Sequence, residues 1–453
     1  INWINFLKLR AAYGSVGNDA SAGHYASWGI YNFGWAIGGS INNLVPAQLP
    51  PSNLRWESTK TFDLALEGSL FDDRFNFSIG YYNKRNTDLL FWRSSAPSSG
   101  NLGNTATAPM TLQNIGTMQN IGWELAFGVD IIRNQNIKWT FNVDASFLKN
   151  KIIKLPDNQD IPGDALFIGK SLYEQYTYEW AGIDRTNGRS LYVIDPESPD
   201  FYSYNDQNQK IYNGSEYASR VQNAAANGAL VEIDGKYYTY NTAYASRKII
   251  GTSLPTVYGS FGTNVAWKGI SLGMLFSYSL GGKTYDGNYA GLTGVGSSGA
   301  SALHKDLLNA WSQKPDGIAD HTVGSSNLTY IGADGQPVST SVEKVFIGAG
   351  NIIDPNGIPQ LNTSYNSYSN SASSRYIVNN NYLIFKNLNL SYDLPDSWVR
   401  TMKLQNLNIG VSVDNVFIAT KRKGINPQYN FSGGQGQYFV PSRVYSFQLT
   451  AKF

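Results

Sequence analysis

From Trp123 to Ile131 the chain alternates without a break. Trp123, Leu125, Phe127, Val129 and Ile131 fall on one side, Glu124, Ala126, Gly128 and Asp130 on the other. Successive side chains of a strand point to opposite faces, so this stretch makes a strand with one apolar and one polar face. After a polar turn over 133–136 the pattern repeats, with Trp139, Phe141, Val143, Ala145 and Phe147 against Thr140, Asn142, Asp144 and Ser146. Similar alternation covers 61–70, 75–81, 256–267, 270–280, 382–394, 404–417 and the final stretch 443–453. Soluble strands average about five or six residues, whereas a strand crossing a bilayer at a ~45° tilt needs about 9–11. Many of these segments reach the second length. Their polar faces carry Asp, Glu, Asn and Gly, small and hydrated, as a water-filled lumen requires; a sandwich would bring two apolar faces together. The expected fold class is all-β, a transmembrane antiparallel β-barrel.

The links between segments alternate in length. Short ones are expected at 72–74, 133–136, 184–189, 268–269 and 395–403, and long polar ones near 15–53, 93–114, 150–172, 195–254, 281–380 and 421–442. Short turns on one side and long loops on the other are the outer-membrane pattern. Counting 176–183 and 190–194 as a pair gives about twelve strands, with both termini on the short-turn side.

Composition narrows the function classes. Aromatic residues make up 14% and charged residues only 15% of 453 residues, with 45 glycines, a balance that suits β-structure with polar loops better than a helical or α/β enzyme. A net charge of +2 with scattered Lys and Arg argues against nucleic acid. With no cysteine, neither disulfides nor thiolate metal sites can form. No apolar run approaches the ~18 residues of a membrane helix. The mean hydropathy of −0.30 does not exclude a barrel, because only every second residue faces lipid. The chain starts at Ile1 with no signal-like segment, so the expectation is a processed or truncated piece beginning inside a domain.

Catalytic and metal chemistry finds little support, and no cofactor is implied. His24, His304 and His321 are isolated in expected loops, and the 302–311 stretch around His304 reads as a short amphipathic helix without zinc or nucleophile spacing. Gly281-Gly282-Lys283-Thr284 imitates the end of a phosphate loop but lacks its first glycine and leaves a strand. A strand end with a glycine bend is the better reading. Asp354-Pro355-Asn356-Gly357 lacks the later Glu of a calcium loop and fits an Asx turn. Loop stretches rich in Tyr, Asn and Ser are candidates for substrate contact through Tyr204, Tyr212, Tyr237, Tyr240, Tyr365 and Tyr368. Tyr presents a flat apolar face with a hydroxyl at its edge, suited to sugar rings or peptide backbone; packing of loops on one another would use the same residues. Trp92, Trp123, Trp139 and Trp267, near expected strand ends, together with Phe453, suit the aromatic belt at a membrane interface.

These segments also resemble, in order and wording, the SusC-like TonB-dependent transporters of the Bacteroidetes outer membrane. The similarity is carried by LKLRAAYGSVGN (7–18), NLRWESTKTFDLALEGSLFDDRFNFSIGYYNKRNTDLL (53–90), NIGTMQNIGWELAF (114–127), WTFNVDASFLKNKI (139–152) and YEWAGIDRTNGRSLY (178–192). LPTVYGSFGTNVAWKGISLGMLFSYSLGGKTYD (254–286), YLIFKNLNLSYDLP (382–395) and LNIGVSVDNVFIATKRKGINPQ (407–428) complete it. The resemblance implies a ~22-stranded barrel of which residues 1–453 would be the C-terminal half, with the plug domain upstream and absent here. It further implies a SusD-like surface lipoprotein as lid, a separate chain or fragment carrying the remaining N-terminal half and plug, coupling to TonB through that plug, and pairing of two such complexes. The cargo would be a glycan or an oligopeptide, imported without bond chemistry. The terminal aromatic of 443–453 resembles the C-terminal signal that outer-membrane barrels present for assembly. Two rivals stand beside this reading: a secreted carbohydrate-binding or adhesion β-protein, and a passive porin.

Overall fold

The computed structural model describes residues 3–37, 40–94, 110–205, 207–294, 303–332, 334–362, 371–421, 426–428 and 441–453. The alternating segments form ten consecutive strands of one sheet: β1 (Ile4–Asn18), β2 (Glu57–Leu70), β3 (Phe75–Ser94), β4 (Met110–Arg133), β5 (Ile137–Lys154), β6 (Pro255–Trp267), β7 (Ile270–Gly281), β8 (Tyr382–Asp393), β9 (Asn406–Thr420) and β10 (Val444–Lys452). Each lies beside the next in chain order, and every pairing along this path is antiparallel. They run from 9 to 24 residues, long enough to cross a bilayer at a tilt. Ile4 stands opposite Leu70 and Lys452 opposite Asn406, so both ends of the path lie on the short-turn side, as expected.

The sheet holds twelve strands, but two are not those the sequence suggested. A hairpin of Ile30–Ile37 and Ser40–Gln48 joins it, touching β4 through Gln48 and Met110. The expected wall pair 176–183 and 190–194 lies outside it: Glu174–Tyr178 pairs with Arg247–Thr252 in a two-stranded sheet, and Trp180–Asp184 pairs with Ser190–Ile194 in a third. Trp180–Asp184 and Ser190–Ile194 have 5 residues each, too short to span. Leu191 and Tyr192, adjacent in sequence, are both fully buried, so both faces of that strand are covered and neither can meet lipid or a lumen. The 184–189 link is therefore not a membrane turn.

Register sorts the ten strands into two faces. One row runs Phe77, Phe127, Val143, Phe261, Phe276, Phe385 and Phe417. Phe261 stacks on Phe276 at 4.8 Å and Phe276 on Phe385 at 4.2 Å between ring centroids. The neighbouring row on the other face runs Glu67, Ser78, Ala126, Asp144, Ser260 and Ser277. Side chains of this second kind, from β2 to β8, line one concavity of about 1280 Å³. The polar face is thus concave and the aromatic face convex, as a barrel wall requires. Gly259 shows how tightly the wall is knit. Tyr278 reaches across it to donate a hydrogen bond to the Asp144 carbonyl at 3.0 Å, and a Cβ on Gly259 would stand 2.1 Å from that carbonyl oxygen.

The long connections β5–β6 and β7–β8 are not loose loops. They combine into a seven-stranded mixed sheet in the order Thr322–Ile331, Pro337–Gly348, Leu230–Ile233, Lys236–Thr239, Ser190–Ile194, Trp180–Asp184, Ile353–Asp354. Leu230–Ile233 from the first connection runs parallel to Pro337–Gly348 from the second. Helix α1 (Gly214–Ala226) packs on this sheet through Tyr217, Ala218, Val221, Ala224 and Ala225, sealing a core with Ile194, Phe201, Leu230, Leu328 and Val345. The i, i+4, i+7 spacing of its buried residues and the Asn213 cap, which accepts the Glu216 amide at 3.1 Å, explain why this polar stretch is helical. The amphipathic helix expected over 302–311 is a shorter 3₁₀ turn, Lys305–Asn309.

Candidate functional site

Two surfaces can meet a solute: the concave wall and the loop domain at its long-connection end. On the wall, carboxylates are held by neighbouring strands. Arg10 pairs with Glu67 at 2.9 Å, Asn387 donates to Asp414 at 2.8 Å and Asn408 to Asp393 at 2.7 Å. Asp144 accepts the Ser260 amide at 2.9 Å and its hydroxyl. Asn142, Asn264 and Asn389 add amide groups to the same concavity. Small, hydrated side chains with both donors and acceptors can pass or hold a polar solute by exchanging hydrogen bonds with water.

Inside the loop domain two polar clusters bind separate segments together. Asp200 accepts Arg247 through Nε at 3.0 Å and Nη2 at 2.8 Å, the Arg247 amide at 2.9 Å and the Tyr176 hydroxyl at 2.8 Å. Arg220 of α1 approaches it at 3.5 Å. Burial pushes the Asp200 carboxyl up, but the hydrogen bonds from Arg247 and Tyr176 outweigh it and hold the carboxyl below its ordinary value. Asp184, fully buried, meets His321 Nε2 at 2.5 Å and the Tyr240 hydroxyl at 2.5 Å, with Thr186 donating at 2.7 Å. Here too burial raises the carboxyl and the bonds from His321, Tyr240 and Thr186 bring it below the usual range. Burial, with the Asp184 charge second, pushes the Tyr240 phenol well above its usual value. Asp184 lies on the first long connection and His321 on the second, so this cluster ties the two together.

These contacts revise the aromatic candidates. Tyr237 and Tyr240 are corrected: both rings are buried, Tyr237 bonding Ser326 at 2.7 Å and Tyr240 lying under the Arg189 guanidinium at 3.9 Å. Neither has a face left for a ligand. Tyr204 and Tyr212 sit half-buried in the hairpin of Tyr202–Tyr204 and Lys210–Tyr212. Tyr212 meets Tyr202 edge-on at 5.6 Å, and the Tyr204 hydroxyl accepts the Asp160 amide at 3.0 Å. Tyr365 and Tyr368 lie outside the described residues. His321, read as an isolated loop residue, proves to be a buried partner of Asp184. His304 caps its own 3₁₀ turn by accepting the Asp306 amide. Gly281 and Gly282 adopt φ of 81° and 72°, the expected glycine bend, and Asp354 accepts the Asn356 amide at 3.0 Å, the expected Asx turn.

The tryptophans stand at three heights. Trp139 and Trp267 lie near the short turns, Trp139 opposite Val265 and Trp267 opposite Ile137. Trp123, opposite Tyr81 and Phe147, is roughly 20 Å further along the barrel axis at ~3.3 Å per residue and a ~45° tilt. All three are exposed on the convex side. Trp92, opposite Leu112, lies roughly 35 Å beyond Tyr81 along its strand, so it cannot share an interface with Trp123. Phe453, 85% exposed, follows β10 at the short-turn end.

A family model described as "TonB dependent receptor-like, beta-barrel" matches residues 1–193. TonB-dependent receptor P39 of Formosa agariphila is 25% identical over 97% of this chain and 39% of its own length. TonB-dependent receptor SusC of Bacteroides thetaiotaomicron is 23% identical over 94% of this chain and 36% of its own. Among solved structures, that of the RagAB peptide transporter superposes with a TM-score of 0.66 and 21% identity, over 100% of this chain and 41% of that one. The chain thus spans about two-fifths of the length of these relatives, and the structural likeness speaks for the fold.

Proposed function

We propose that this chain, which is similar to the SusC-like TonB-dependent receptors, forms part of the wall and the extracellular vestibule of an active importer for large polar nutrients. Its place is the outer membrane of a Gram-negative bacterium. Residues 1–453 contribute wall strands; the rest of the barrel and a plug are supplied outside this stretch. The carrying observation is the two-faced sheet, apolar rows outside and hydrated rows inside, continued at one end into a folded domain.

In this reading a plug closes the lumen until TonB displaces it, and a SusD-like lipoprotein covers the long-connection end. Cargo is held by hydrogen bonds and by tyrosine faces such as Tyr204 and Tyr212, and no bond is made or broken. Large oligomers suit the site because a wide wall of weak polar contacts gains affinity by number rather than by one deep pocket. The similarity to a peptide transporter favours oligopeptides, whereas the similarity to SusC leaves glycans open.

The test is uptake of labelled oligopeptide and oligosaccharide pools by cells with and without the complete gene, with TonB intact or deleted. Import that needs both the gene and TonB is expected. Uptake indifferent to TonB would make this a porin. A protein released from cells without detergent would make it an adhesin or soluble binding protein.

A further inference from the structure

The convex face of β2–β5 carries a group of cations just beyond its upper aromatic row. Tyr81, Trp123 and Phe147 form that row. The next outward row includes Asn83, Ile121 and Lys149, and the one after it Lys60, Arg85, Gln119 and Lys151. Lys60, Arg85 and Lys149 are exposed and Lys151 is half-buried. Two to four positions along a tilted strand amount to roughly 5–10 Å above the rings, the depth of lipid headgroups when aromatic side chains mark the interface.

Nothing described here neutralises these charges. Lys60 and Arg85 stand directly opposite each other, an arrangement that destabilises a sheet. Among the described residues neither they nor Lys149 and Lys151 enter an ion pair. The acids at this height have hydrogen-bond or ion-pair partners of their own. Glu57 accepts Asn18, Ser21 and the Leu90 amide. Asp88 pairs with Arg55 and Asp157 with Arg93, and Glu174 accepts the Ser171 amide. At the short-turn end the signs are mixed, as in the Asp130–Arg133 pair at 3.6 Å. A cavity of about 510 Å³ opens beside the cations, lined by Trp123, Phe147, Lys149, Lys151 and Lys170 and by one acid, Glu174.

We propose that this surface binds a phosphate-bearing headgroup of an outer-leaflet lipid. Lys60 and Arg85 take one phosphate, and Lys149, Lys151 and Lys170 take a second at the cavity. The span from Lys60 to Lys151 covers three strand spacings, roughly 14 Å, which fits a headgroup carrying more than one phosphate. The acyl chains then lie along Tyr81, Trp123, Leu125 and Phe127. This assignment rests on the membrane location and the orientation of the sheet, and is independent of cargo or TonB.

The complete transporter, purified from its own outer membrane in mild detergent, is examined by native mass spectrometry for retained lipid. It is then placed in nanodiscs and titrated with a diphosphorylated glycolipid and with its dephosphorylated form. The wild type should retain phosphorylated lipid, and K60Q/R85Q/K149Q/K151Q should retain at least about tenfold less, with binding falling as salt rises. Equal retention by wild type and variant, or equal binding of the dephosphorylated lipid, overturns the proposal. Inorganic phosphate that displaces the glycolipid completely would show a free-anion site and also overturn it. Heat-shifted gel migration reports whether the variants fold; should the quadruple variant fail, K149Q/K151Q alone must show a severalfold loss.

Discussion

Asp200 collects Tyr176, Arg220 and Arg247 from three separate segments of the loop domain. Removing one partner of a buried charge cluster leaves the others unpaired, at a cost of about 3–5 kcal/mol. Asp200→Ala is therefore expected to unfold the loop domain while leaving the wall intact. Limited proteolysis would show cleavage confined to 155–254 and 282–381; unchanged resistance would contradict the assignment. The same residues set a pH dependence. Asp184 and Asp200 have carboxyls held below their unfolded value of about 3.9. Their contribution is present above that value and is lost as pH falls through the lower folded values. Protease resistance of the loop domain should hold from neutral pH to about 4 and decline below it. A flat profile down to about pH 2 would show that these clusters contribute little. None of this was legible in advance, because a buried carboxylate with distant partners leaves no local pattern. Tyr237 and Tyr240 misled for the same reason: a tyrosine facing a ligand and one closing a core have identical neighbours in sequence.

Among elements, the wall strands were legible and the loop-domain strands were not. A strand such as β4 alternates over nine residues, Trp123 to Ile131, because each face meets a different solvent. Ser190–Ile194 and Leu230–Ile233 are short and covered on both sides, so their alternation vanishes. α1 did carry a signal, its Asn213 cap and the spacing of Tyr217, Val221 and Ala224, but it is masked by surrounding Tyr, Asn and Ser. In the wall, Gly259→Leu should hinder assembly, since a Cβ there meets the Asp144 carbonyl and displaces Tyr278. A reduced heat-stable barrel fraction on gels is the expected outcome, with Gly259→Ala milder; wild-type yield for the leucine variant would refute it. The two long connections are also interdependent. Excising 155–254 alone should leave Pro337–Gly348 without its parallel neighbour and expose 282–381 to protease, whereas excising both should restore resistance.

At the scale of the molecule, β1 pairs only with β2 and β10 only with β9 among the described strands. Open strand edges are not tolerated in lipid, so the sheet calls for further strands to close it. Expressed by itself, residues 1–453 should fail to show heat-modifiable migration, and co-expression with the remaining barrel should restore it. A closed, heat-modifiable barrel from this stretch alone would contradict the division of the wall. The barrel class was readable because register and alternation are local. The fusion of two loops into one body depends on contacts such as Val231 with Phe346, far apart in sequence, and was not.

The loop domain is entered and left twice, from β5 to β6 and again from β7 to β8. Four separate chain crossings bolt it to adjacent staves of the wall, and the β6–β7 hairpin is stitched between its two halves. A body held at four corners is more restrained than one on a single linker, and it stands over the wall like a turret. Under the function proposed above, a gate that swings to admit cargo is expected in a different part of the assembly, with this body as the post it would close on.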